Sequence, residues 1–79
     1  MGNLRRVLRV TPHEGQWELQ DPEGNALIHQ YKKVLVAIGR QRCRQHKMEG
    51  RLAQLVIHLR NGRIQTEHTY GKDPERSLG

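Results

Sequence analysis

The 79-residue sequence predicts an α+β domain, a small antiparallel β-sheet of about four to five strands in the order ββ(β)αββ with one α-helix packed on one face. Three observations carry that expectation. Residues 4–20 hold two short apolar-patterned runs around a Pro/Gly turn. Residues 32–48 lack proline and spread their apolar side chains at helical spacing. Residues 52–70 form two further runs joined by Asn61-Gly62.

The first strand is read in "LRRVLRVT", residues 4–11, and its turn in "PHEG". "QWELQ", residues 16–20, returns with Trp17 and Leu19 on one face. "DPEGN" is a turn cluster, and "ALIHQY", residues 26–31, is a third strand or an extended lead-in. In "KKVLVAIGRQRCRQHKM" a helical projection puts Tyr31, Val34, Leu35, Ile38 and Gly39 on one side and Lys33, Arg40, Arg44 and Lys47 on the other. Arg42 projects near the apolar side and is read as snorkelling past the end of the sheet. Gly39 is assigned to close helix–sheet packing, and Gly50 to the helix C-terminus. Asn61-Gly62 predicts a type I′ hairpin. That register sets Arg60 opposite Arg63, Leu59 opposite Ile64 and Ile57 opposite Thr66. It turns Leu55, Ile57, Leu59, Ile64, Thr66, His68 and Tyr70 toward the helix.

A chain of this length is read as a single domain, 1–79, with a flexible tail at 72–79. Only 34% of residues are hydrophobic, so the core is thin and self-association into a homodimer is one expectation. One cysteine, Cys43, gives no internal disulfide, and no apolar run reaches membrane-spanning length. No signal-peptide pattern follows Met1, so a cytoplasmic setting is expected.

The net charge of +6 is unevenly placed. Residues 32–63 hold nine lysines and arginines against Glu49 alone. Such a concentration favours polyanionic partners, DNA or RNA foremost. The candidate contacts are Arg60 and Arg63 on the hairpin, joined there by Arg5 or Arg9, and Lys33, Arg40, Arg44 and Lys47 on the helix. The predicted register puts these two groups on opposite sides of the layer, so one duplex would not reach both. Trp17 and Tyr31 are assigned to the core.

The five histidines show no metal-ligand spacing, and His58 and His68 fall on opposite sheet faces. Cys43 has no base and orienting group at recognisable spacing, paired carboxylates are absent, and no glycine-rich phosphate loop occurs. The sequence therefore points away from an enzyme, a cofactor, a metal site and a small-molecule substrate.

"GQWEL", "YKKVLVAIGRQRCRQ" and "IHLRNGRIQTEHTYGKDP" together resemble the prokaryotic domain-of-unknown-function family 2188, over about residues 8–74. The closing hairpin, with its Asn-Gly-Arg-Ile turn and Tyr-Gly-Lys-Asp-Pro end, is the most specific part. Lys32-Lys33-Val34-Leu35 departs from the acidic and alanine positions usual at the helix start. The resemblance implies a small sheet-plus-helix module of bacterial or mobile-element genomes. It implies no activity and no functional residue. The functional expectation is a non-enzymatic module that binds nucleic acid through phosphate contacts. The alternative is a protein-interaction or self-assembling module.

Overall fold

The backbone of a five-stranded sheet is set by where one helix returns the chain. A computed structural model describes residues 5–71. Its elements are β1 (Arg6–His13), β2 (Gln16–Gln20), β3 (Leu27–His29), α1 (Lys32–Met48), β4 (Ala53–His58) and β5 (Ile64–Tyr70). The strand order is β3-β2-β1-β4-β5. β1–β2, β2–β3 and β4–β5 pair antiparallel, whereas β1 and β4 pair parallel, with Leu8 facing Leu55 and Val10 facing Ile57. The α+β class and the element order stand, but the sheet is mixed where the sequence reading made it wholly antiparallel. The cause is the crossover. α1 has 17 residues, about 25 Å of rise, and carries the chain back to the end where β1 started. The expected tail at 72–79 lies outside the described residues.

Each turn follows from its residues, and one of them differs from the type expected. His13 pairs with Gln16, leaving Glu14 at φ 48° and Gly15 at φ 81° as the whole β1–β2 connection. Positive φ at both positions is the type I′ hairpin turn. At the β4–β5 hairpin only Gly62 is left-handed, at φ 91°. Gly62 N–H donates to Leu59 O at 2.9 Å, and Leu59 N–H donates to Arg63 O at 2.7 Å. The register then slips from Ile57↔Thr66 to His58↔Ile64. This is a type I turn closed by a glycine bulge, so the predicted type I′ turn and the Arg60–Arg63 pairing are both corrected. The extra residue moves Ile64 to the face of His58, away from the helix, where it is half exposed.

The core lies between α1 and one sheet face: Leu8, Val10, Trp17, Leu19, Leu35, Cys43, Ala53, Leu55 and Ile57. The buried column of α1 is Leu35, Gly39, Cys43 and His46. Tyr31 caps the helix instead and is 55% exposed, which corrects its core assignment. A Cβ on Gly39 would meet Leu55 Cδ1 at 2.8 Å and Leu19 Cδ1 at 3.4 Å, so the helix lies on the sheet because this residue has no side chain. The helix ends in a Schellman motif, with Arg51 N–H donating to His46 O at 2.9 Å and Gly50 N–H to Lys47 O at 3.0 Å. Arg42 does not snorkel past the sheet. It donates to Asp21 Oδ2 and to Asn25 O, both at 2.8 Å, and ties the β2–β3 turn to the helix. Among the described residues no helix is long and apolar enough to cross a membrane.

Candidate functional site

β5 extends the sheet beyond the area that α1 covers. The space between them is a groove of about 750 Å³, lined by Lys32, Lys33, Val36, Ala37, Arg40, Ile57, Gln65, Thr66 and His68. Its floor is apolar: Ile57 belongs to the core, Val36 packs against it, and the exposed Ala37 adds a methyl group beside them. Its helix-side rim is cationic because Lys33 and Arg40 stand seven residues apart, two helical turns, and so project from one row. The bulge that displaces Ile64 also frees Gln65, whose Oε1 accepts from Lys32 Nζ at 2.6 Å across the groove.

At the upper end of the groove two cations share one aromatic ring. Lys32 Nζ lies 4.7 Å from the Trp17 ring centroid and the Arg60 guanidinium carbon 5.2 Å from it. The ring quadrupole offsets part of the cost of bringing like charges together. Partial burial, and then the Arg60 charge, hold Lys32 below the ordinary lysine range. An anion placed here would meet two unneutralised charges at once.

The predicted residues divide accordingly. Lys33 and Arg40 line the groove, and Arg60 stands at its end over Trp17 rather than on the open sheet face. The expected separation of hairpin and helix cations onto opposite sides is therefore overturned for these three. The physical reason is the turn: Arg60 follows Leu59 into it instead of standing on the strand, and its guanidinium reaches the Trp17 ring of β2. Arg44 and Lys47 continue the helix row beyond the groove lining, and Arg63 is exposed on the hairpin. Among the described residues none of Lys32, Lys33, Arg40, Arg44, Lys47, Arg60 and Arg63 has a carboxylate within ion-pair distance. Arg9, level with Val56, lies on the open sheet face beside His58. Its guanidinium donates to His58 Nε2 at 3.2 Å, which leaves Nδ1–H to donate to Gly62 O at 2.9 Å. Lys32 was missed in the sequence because it reads only as the start of a helix. Gln65 and His68 carried no signal that would bring them beside it.

Cys43 is fully buried, and desolvation, reinforced by the Asp21 charge, pushes its thiol up to about 11. It stays protonated at neutral pH and is a core side chain. Among the described residues no group of three or more His, Cys, Asp or Glu could hold a metal ion. His58 and His68 do lie on opposite faces, His58 paired with Ile64 and His68 with Leu55.

Fold and groove together define a small α+β domain with a mixed sheet, one helix and a cation-rimmed channel beside its edge strand. The chain belongs to the family described as "Uncharacterized protein conserved in bacteria (DUF2188)", whose family model matches residues 8–70. Comparison with curated proteins and with solved structures finds no match.

Proposed function

We propose that this domain is a non-enzymatic module that binds nucleic acid through phosphate contacts in the α1–β5 groove. The observation that carries the reading is the gathering of Lys32, Lys33, Arg40 and Arg60 around one channel, with no carboxylate paired to any of them among the described residues. Cations left unpaired beside one another raise the local potential and concentrate polyanions. Contacts of this kind are largely independent of sequence and weaken steeply with salt.

Fluorescence anisotropy with labelled DNA and RNA, at low and moderate salt, tests it. Binding that is lost with salt and lost in Lys33→Glu/Arg40→Glu, but kept in Arg44→Glu/Lys47→Glu, supports the groove. The Arg60→Glu/Arg63→Glu pair tests the hairpin's share. No binding at low salt removes the reading.

A second reading is self-association through β5. It is a seven-residue strand at the end of the sheet order, and edges of that length invite pairing. Sedimentation would then show a dimer that resists salt, which phosphate binding would not.

A further inference from the structure

Resting on the nucleic-acid reading of the same groove, we infer that its ligand is single-stranded, taken with unpaired bases against the floor and phosphates on the rim. Three features support strand separation as a condition of entry. The first is the lining. A surface for duplex backbone needs only cations, yet Val36, Ala37 and Ile57 form an apolar strip between the charged rim and Thr66. Apolar surface of that kind gains by being covered, here by the face of an unstacked base, and in a duplex those faces are already stacked.

The second feature is size. At about 750 Å³ the channel, open along its length, is comparable in volume to small-ligand pockets, roughly 300–1,000 Å³. Nucleotide units fit such a space, whereas a double helix can only lie across its mouth. The third is the wall. β5 ends the sheet, so its outer edge has no neighbouring strand among the described residues. Its residues Gln65, Thr66 and His68 line the channel, and their side-chain donors and acceptors can bond the Watson–Crick edges that only an unpaired base presents.

Trp17, the sole tryptophan, supplies an intrinsic reporter because Lys32 and Arg60 both lie over its ring. A ligand that draws either cation away alters its emission. The experiment titrates unlabelled single-stranded DNA, single-stranded RNA and a duplex of the same sequence, reading Trp17 emission beside anisotropy. Single strands are expected to bind at least tenfold more tightly than the duplex. Their salt slope should be shallow, about −0.7 per phosphate contact. Ala37→Glu, at an exposed helix position, should remove the preference; Thr66→Glu should do the same from the opposite wall. Far-ultraviolet circular dichroism checks that both variants fold. Equal or tighter duplex binding that still weakens in Lys33→Gln/Arg40→Gln overturns the single-strand inference and leaves the phosphate reading standing. The inference also falls if Ala37→Glu and Thr66→Glu weaken both ligands alike. If no nucleic acid binds at low salt, both readings fall.

Discussion

The two ends of α1 handle charge in opposite ways. At the C-terminal end, arginines meet carboxylates. Arg42 holds Asp21, Arg51 holds Glu49, and Arg6 lies 3.5 Å from Glu23 across the same end of the sheet. Hydrogen bonding from Gln45, then the Arg51 guanidinium, hold Glu49 below the ordinary carboxylate range. At the N-terminal end, Lys32, Lys33 and Arg60 gather with no acid beside them among the described residues, and the first helical turn holds none either. A helix dipole favours acids there and disfavours these lysines. One end of the molecule is built for stability, and the other holds charge that stability does not require.

Mutations should separate the two ends. Arg42→Ala leaves Asp21, whose side chain is 5% exposed, buried without its partner. We expect a loss of about 2–3 kcal/mol in urea unfolding, somewhat below a fully enclosed pair because Arg42 is itself about a quarter exposed. Gly39→Val lies between the ends, where the helix touches Leu55. Overpacking should cost about 2 kcal/mol by the same measurement. A gain is expected away from both. Glu14→Gly relieves a left-handed glutamate in the β1–β2 turn and should raise stability by about 1 kcal/mol. At the unpaired end, Arg60→Gln should change stability by less than about 0.5 kcal/mol, and in the favourable direction, because it removes a like charge from Lys32. A large loss there would show that the cation–π contact matters to folding, and the contrast between the ends would fail.

The paired end also predicts a pH response. Cys43 has its thiol raised from 9.0 to about 11 by burial, with the Asp21 charge adding to it. The folded state therefore holds the proton longer than the unfolded state. Stability is fully present below pH 9 and declines as pH rises from 9 toward 11. Thermal melts across that interval check the sign, and a Cys43→Ala variant should flatten the decline. Iodoacetamide should label Cys43 slowly at pH 8 unless the chain is unfolded.

Much of this architecture was legible locally. β2 falls at Gln16–Gln20 as expected, α1 at Lys32–Met48, and Gly39 and Gly50 occupy the roles their chemistry suggests. What could not be read was set by distant partners. Nothing near Val10 says that Ile57 will lie beside it in parallel. The β4–β5 turn departed from its expected type for a similar reason. Asn61-Gly62 has the better type I′ residues, yet the bulge at Gln65 is what fits the hairpin here, while Glu14 accepts a strained φ because β1 and β2 leave only two residues between them. The candidate site suffered most from this. Its cations were visible in the sequence, but the turn that follows Leu59 decided which face Arg60 would join.

The parallel seam between β1 and β4 bears on how the chain is made. β1 is the middle strand, and one of its edges is closed only when residues 53–58 arrive. Until then a nascent chain that has completed β1–β2–β3 and the helix presents that edge, with Leu8 and Val10 on the face that becomes the core, to anything that can add a strand. The last third of the polypeptide therefore serves as its own shield. Truncation before Ala53 should yield aggregates rather than a smaller folded domain, which a solubility assay of the shortened chain would reveal.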